Sequence, residues 1–193
     1  YADVAKEELS KIKEINLILG NSEKKNIVDH VENYINHNDV NIESSEEYNE
    51  FGCITYTERT RATIKVQDGC NNFCTYCIIP YARGRIKSRK KESILEEIEK
   101  IAEKGIKEVV ITGIHIASYG KDFDNNYRLI DLLEDINKIE GIERIRIGSL
   151  EPTIINEEFC DRIKKLNKLC HHFHLSLQSG CNGTLKRMNR KYS

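Results

Sequence analysis

No stretch of the 193 residues is apolar for long enough to span a membrane, and the opening residues lack the charged-then-apolar pattern of a secretory leader. The expectation is a soluble, charge-rich chain. A dinucleotide-binding glycine fingerprint is also missing, so a barrel, or part of one, fits an α/β chain at least as well as a Rossmann sheet. The sequence has no initiator methionine: it opens on "YADVAKEELS", inside an expected helix, and stops abruptly at "LKRMNRKYS". The expectation is a segment of a longer protein.

With 39% hydrophobic and 32% charged residues, the chain is charge-rich but long enough for a real core. Its net charge of −1 hides an asymmetry. Residues 1–60 carry 6 Lys+Arg against 13 Asp+Glu, a balance of −7, whereas residues 61–193 carry 24 against 18, a balance of +6. Two units are therefore expected, 1–60 and 61–193, with the acidic stretch 38–60 as linker and the second unit facing an anion. Seven cysteines, an odd number, argue against a disulfide framework and for metal binding or catalysis in a reducing, cytoplasmic setting.

The first unit reads as a helix, a short strand "INLILG" ending at Gly20, and an amphipathic helix capped by Asn21 or Ser22 with Ile27, Val31, Tyr34 and Ile35 on one face. From residue 61 strands and helices alternate: strands "RATIKVQ", "IKEVVITGI", "IERIRIGSL" and "HHFHLSLQSG", with helices "KESILEEIEKIAEKG", "NYRLIDLLEDINKIEG" and "TIINEEFCDRIKKLNK" between them and a last one starting at "CNGTLKRMNR". Alternation with short connections predicts a parallel sheet, either a (βα) barrel, whole or partial, or an open sheet. Ligands of such a sheet sit at the strands' C-terminal ends. There the sequence places three cysteines, then Thr112, Gly113 and His115, then Ser149 and Glu151, then Ser176, Gln178 and Ser179. The opposite connections, "KGIKE" and "IEGIE", are plain turns.

Cys70, Cys74 and Cys77 follow the first strand in the spacing C-x3-C-x2-C. Structural zinc sites usually come as two close ligand pairs, and none of Cys53, Cys160, Cys170 or Cys181, nor His171, His172 or His174, supplies a second C-x2-C. Cys160 and Cys170 read as small apolar residues. Three thiolates on a cubane iron–sulfur cluster would leave one iron open to a small ligand, whereas a plain electron carrier closes it with a fourth cysteine. Downstream, "RGRIKSRKK" at 83–91 holds six basic residues in nine, and Lys186, Arg187, Arg190 and Lys191 form a second group. Each reads either as a solvated surface or as a phosphate-facing strip.

The triad after the first strand resembles the radical S-adenosylmethionine enzymes, and the wider run "DGCNNFCTYCIIPYARGR" resembles the methylthiotransferases among them. "GIKEVVITGIHIASYG", "RIRIGSLEP" and "HHFHLSLQSGCNGTLKRMNRKY" extend the resemblance over residues 61–192. The phrase "TGIHIASYG" is most similar to the branch acting on N6-threonylcarbamoyladenosine in tRNA. Other branches act on isopentenyladenosine or on a ribosomal-protein aspartate.

The resemblance implies a partial parallel radical S-adenosylmethionine barrel joined to the tail of an α/β N-terminal methylthiotransferase domain. It implies a 4Fe–4S cluster on Cys70, Cys74 and Cys77, its open iron binding the amino and carboxylate groups of S-adenosylmethionine. One electron, from a donor such as flavodoxin or ferredoxin, would generate the radical that removes hydrogen from adenine C2. Sulfur would enter there, and a second S-adenosylmethionine would supply the methyl group. Phe73 and Tyr76 are expected to wall the cofactor, Gly113 to let its methionyl end approach, and Ser149, Glu151 and Gln178 to contact it. His115 is expected on the cofactor or substrate side, and Arg83, Arg85, Lys87 and Arg89 against the phosphates of a tRNA anticodon loop, with no role for DNA or membrane. The family's second 4Fe–4S cluster, its remaining barrel strands and its C-terminal RNA-binding domain are expected outside these 193 residues, since Cys53 matches no ligand of that second cluster. The rival reading is a nonenzymatic, metal-stabilised RNA-binding module.

Overall fold

The computed structural model describes residues 1–37, 48 and 60–193. Its centre is a four-stranded sheet of β1 (Arg61–Asp68), β2 (Lys87–Ser88), β3 (Glu108–Gly113) and β4 (Arg144–Ile147), in the order β2-β1-β3-β4. β1, β3 and β4 pair in parallel, and the two-residue β2 runs antiparallel to β1. The helices are α1 (Lys6–Leu9), α2 (Ile27–His37), α3 (Ile79–Ala82), α4 (Lys91–Glu103), α5 (Leu129–Lys138), α6 (Glu157–Ile163) and α7 (Asn182–Arg187). Among the described residues, no helix is long and apolar enough to cross a membrane.

Periodicity builds the core. Ala62, Ile64 and Val66 alternate inward on β1, Val109 and Ile111 on β3, and Ile145 and Ile147 on β4. Ile94, Ile98 and Ile101 recur at helical spacing on α4, and Leu129, Leu132, Leu133 and Ile136 on α5; all seven are at most 1% exposed. α4 packs on β1 and against α5, which in turn meets α6. Burying each of these side chains contributes about 1.5–3 kcal/mol, so Leu132→Ala is expected to cost about 2–5 kcal/mol.

The expected α/β architecture is present, with differences at its margins. "HHFHLSLQSG" is not a continuous strand. Its one parallel bridge, Leu150–Leu175, lies beyond the end of β4, and the preceding Leu169 bridges Ile145. Phe173, Leu175 and Leu177 remain exposed, because no described element lies over them. The β2 return was not foreseen, since a two-residue strand carries no periodicity. α6 is shorter than its pattern, as a 3-10 turn at Pro152–Ile154 takes up the first part.

In the first unit, no strand forms at "INLILG", for no described strand lies beside it to complete a ladder. α1 is a single turn. The start expected to be capped by Asn21 or Ser22 is a 3-10 turn, Asn21–Asn26, whose first N–H is held by the Asp3 carboxylate at 3.0 Å. Ile27, Val31 and Ile35 of α2 are exposed rather than buried. Apart from Tyr48 and Thr60, the linker lies outside the described residues, as does Cys53.

Candidate metal and cofactor centre

A bulge organises the top of β1. The register with β3 shifts between Lys65 and Gln67, so Val66 and Gln67 are both buried. Gln67, fully buried, donates through Nε2 to the Gly69 carbonyl (2.7 Å) and accepts the His115 N–H at Oε1 (2.7 Å). One amide thus joins the exits of β1 and β3.

Gly69 follows with φ +67°, and a Cβ there would lie 1.8 Å from the Arg85 carbonyl oxygen, so only glycine fits. The chain then makes the cysteine loop and α3 and returns along β2, which pairs Gln67 with Ser88 and closes the loop's base. The Cys70 N–H donates to the Gly84 carbonyl (3.1 Å), and the Cys77 N–H to that of Cys74 (2.9 Å). Asp68 anchors the base by accepting from the Gly69 N–H and pairing with Lys65 and Arg83. Burial works against its charge, but those partners hold its carboxyl below the ordinary range.

A cleft of about 180 Å³ opens at this end of the sheet. Cys70, Cys74 and Cys77 line it, all as free thiols, together with Tyr76, His115, Ser149, Glu151 and Gln178. With Ser176, nine of the residues expected at the strand ends or against a cofactor thus share one cleft.

Glu151 is its electrostatic centre. Only 6% exposed, it accepts from His115 Nε2 (2.9 Å), Asn72 Nδ2 (3.1 Å) and the Thr153 hydroxyl (3.1 Å), and pairs with Arg190 at 3.0 Å. Burial pushes its pKa up, but these contacts outweigh it and hold the carboxyl at about 2, so it is charged at neutral pH. The Ser118 hydroxyl faces His115 Nδ1 and holds the ring from its other side.

The donor set fits a thiolate-bound cluster. Among the described residues, no three His, Cys, Asp or Glu side chains close on one point as a single ion requires; the thiols share a cleft wall instead. Two sulfurs face hydrogen-bond donors: the Asn72 N–H at 3.4 Å from Cys70 Sγ, and Arg190 Nη1 at 3.2 Å from Cys74 Sγ. Such donors stabilise cluster-ligating sulfur.

Other expected residues lie elsewhere. Phe73, at φ +45°, packs edge-on against Tyr81 and beneath the Arg85 guanidinium, outside the cleft lining. Gly113 has a packing reason for lacking a side chain: a Cβ would meet Ile116 at 2.7 Å and the Gln67 carbonyl at 2.9 Å. The basic strip divides. Arg89 is buried at 6% and paired with Glu97 and the Ser93 hydroxyl, which corrects its reading as a phosphate contact. Arg83 is spent on Asp68, Lys87 is half-buried in β2, and Arg85 is exposed. In the second group, Arg190 is likewise no surface residue: it is a cleft residue, its side chain 8% exposed. Sequence reasoning missed Gln67, Asn72 and this role of Arg190. Asn72 sits in the conspicuous "CNNFC", but an arginine in a basic run carries no mark of burial. Of the remaining histidines, His171 and His172 are exposed, and His174 meets the Ser149 hydroxyl at 3.3 Å.

Residues 64–193 match the family model of the Radical SAM superfamily. The chain is 41% identical, over its whole length, to 48% of the threonylcarbamoyladenosine tRNA methylthiotransferase MtaB of Aquifex aeolicus. It is 37% identical, again over its whole length, to 44% of the MtaB of Bacillus subtilis. Over 69% of the chain it is 50% identical to 28% of the tRNA-2-methylthio-N(6)-dimethylallyladenosine synthase of Thermoanaerobacter pseudethanolicus. The chain therefore spans about half the length, or less, of these relatives. Among solved structures, the radical S-adenosylmethionine methyltransferase TsrM of Kitasatospora setae superposes with a TM-score of 0.54 at 20% identity, over 68% of this chain and 26% of that one.

Proposed function

The chain belongs to the radical SAM superfamily, and on that premise we propose that it forms the radical-generating part of a tRNA methylthiotransferase acting on N6-threonylcarbamoyladenosine. The carrying observation is one cleft at the C-terminal end of the parallel strands, walled by three free thiols and a charged, buried Glu151. Cys70, Cys74 and Cys77 would hold a 4Fe–4S cluster. When bound, that cluster with S-adenosylmethionine supplies radical hydrogen abstraction, the chemistry that opens an adenine C–H bond to sulfur.

The chain's own groups prepare the site. Glu151 offers a fixed negative charge suited to a sulfonium ligand's amino group or ribose hydroxyls. Ser149, Ser176 and Gln178 add neutral hydrogen-bonding groups on the same wall. Ile79 and Ile114 give the cleft an apolar floor, and Tyr76, half-exposed, stands at its mouth. His115 holds its proton toward Glu151. Outside, Arg85, Lys90, Lys186, Arg187 and Lys191 are the exposed cations that would meet RNA phosphates, giving affinity without base choice. Phe73 would support Arg85 from beneath. A second cluster, in a part of the full-length protein outside these residues, would serve sulfur insertion. A flavodoxin- or ferredoxin-class carrier in the cytoplasm would supply electrons.

Anaerobic reconstitution of the full-length protein with iron and sulfide tests this reading. It should give the brown absorption of 4Fe–4S clusters and 5′-deoxyadenosine on addition of dithionite. Cys74→Ala should remove the iron bound by this triad and the 5′-deoxyadenosine. A colourless, zinc-bound product that binds tRNA without cleaving S-adenosylmethionine would establish the RNA-binding module instead.

The choice of base rests on coverage: the threonylcarbamoyladenosine relatives align with the whole chain, the dimethylallyl relative with 69% of it. The 50% identity within that portion favours the dimethylallyl substrate as the second reading. Mass spectrometry of tRNA nucleosides from cells lacking the full-length protein separates the two, according to which methylthio nucleoside disappears.

A further inference from the structure

The last residues of the chain grip the cysteine loop from the far side of the sequence. The Thr75 N–H donates to the Met188 carbonyl (3.3 Å), and its hydroxyl to the Arg187 carbonyl (3.2 Å). Asn189, at φ +56°, donates its amide to the Phe73 carbonyl (3.0 Å), and Phe73 is itself in a left-handed conformation. Two non-glycine residues in sparsely populated backbone geometry thus meet, each held by the other.

Arg190 is the centre of this clasp. Its guanidinium spends three nitrogens on three separate structures. Nη1 meets Cys74 Sγ at 3.2 Å, Nη2 meets Glu151 at 3.0 Å, and Nε donates to the Tyr192 hydroxyl at 3.1 Å. Tyr192 in turn donates to the Ser176 and Leu177 carbonyls, on the segment that follows β4. With its side chain 8% exposed, this cation is largely shielded from water and salt. A planar fork serves such a junction where an ammonium does not, since a lysine offers one point of charge rather than separated donors in a fixed plane.

We propose that Arg190 is a positioning and redox-tuning residue: it locks Cys74 to Glu151 and raises the reduction potential of the cluster held by Cys70, Cys74 and Cys77. The inference rests on the cluster reading above. A cation and an N–H donor at a ligating sulfur both favour the reduced cluster, which carries one more negative charge, and so shift the potential upward. The Glu151 carboxylate on the other side of the same guanidinium limits that shift and ties it to the cofactor-facing wall. Arg190 touches the ligand sulfur, so its effect on the cluster is transmitted through Cys74.

The test is a redox titration of the reconstituted full-length protein, followed by the electron paramagnetic resonance of the reduced cluster on this triad, without S-adenosylmethionine. Arg190→Lys and Arg190→Gln are compared with wild type and with Tyr192→Phe. Tyr192→Phe removes the hydroxyl that holds Nε but leaves the guanidinium and Cys74. The midpoint should fall in the order wild type, Arg190→Lys, Arg190→Gln, with Tyr192→Phe close to wild type. Equal midpoints in wild type and both Arg190 variants would overturn the inference. If Arg190→Gln fails to retain its cluster, Arg190→Lys against wild type decides: a lowered midpoint supports the assignment, an unchanged one sinks it. A wild-type protein that takes up no cluster on the triad would overturn the cluster reading itself, an outcome distinct from the first.

Discussion

The two ends of the sheet use the same residue types to opposite effect. At the N-terminal ends of the strands, Lys107 pairs with Glu143, and Arg144 and Arg146 pair with Glu108. Lys107 and Glu143 keep 65% and 60% of their side chains in water, where solvent and salt screen the attraction and each partner can leave without stranding the other. At the C-terminal ends, Glu151 pairs with Arg190 and His115 with all three side chains at most 13% exposed. There Glu151 and Arg190 depend on each other, for neither can turn to water. The glycines show the same contrast. Gly69, at the top, is hemmed in by backbone, while Gly105, at the bottom, has a similar left-handed φ of +83° and nothing within 4 Å of where a methyl group would sit. One end of the sheet connects elements; the other holds a site whose parts are mutually determined.

Four substitutions probe that contrast, in descending order of effect. Gly69→Ala combines an unfavourable φ with a backbone clash and is expected to cost on the order of 3 kcal/mol or more, with loss of iron binding on reconstitution. Chemical denaturation and iron analysis measure both. Glu151→Gln keeps the shape but leaves the Arg190 guanidinium without its buried anion, for an expected loss of about 1–3 kcal/mol and weakened S-adenosylmethionine binding by calorimetry. Gly105→Ala meets only the conformational penalty, about 1–2 kcal/mol. A loss equal to that of Gly69→Ala would erase the distinction between the two ends. Lys107→Ala should leave the melting temperature unchanged at both low and high salt; a salt-dependent drop would show that the lower end also relies on its charges.

Much of this was legible in the sequence where one residue's neighbours along the chain decide its fate. The stripes Ile94, Ile98, Ile101 and Leu129, Leu132, Leu133, Ile136 needed only helical periodicity, and the cysteine spacing needed only a strand before it. What resisted reading depends on partners distant in sequence. α2 shows an amphipathic pattern as clear as that of α4, yet Ile27, Val31 and Ile35 stay exposed, because a pattern names a face and not the surface that covers it. "HHFHLSLQSG" alternates as a strand should, but strand formation needs a neighbour on its open side as well as β4. Arg89 and Arg190 were lost among basic neighbours, since a run of cations looks alike whether a carboxylate waits inside or not. Gln67 is buried only because a bulge shifts the register of β1 by one residue, a change that leaves no signature in composition.

The clasp also has a consequence for the order of synthesis. Phe73 and Cys74 receive their closing contacts from Asn189 and Arg190, each 116 positions downstream. A ribosome adding about 5–20 residues per second makes the cysteine loop on the order of ten seconds before the residues that hold it shut. Throughout that interval Phe73 lacks the amide and Cys74 the guanidinium that hold them in the folded chain. The left-handed turn at Phe73 is therefore fixed late, by residues made after the strands that carry it.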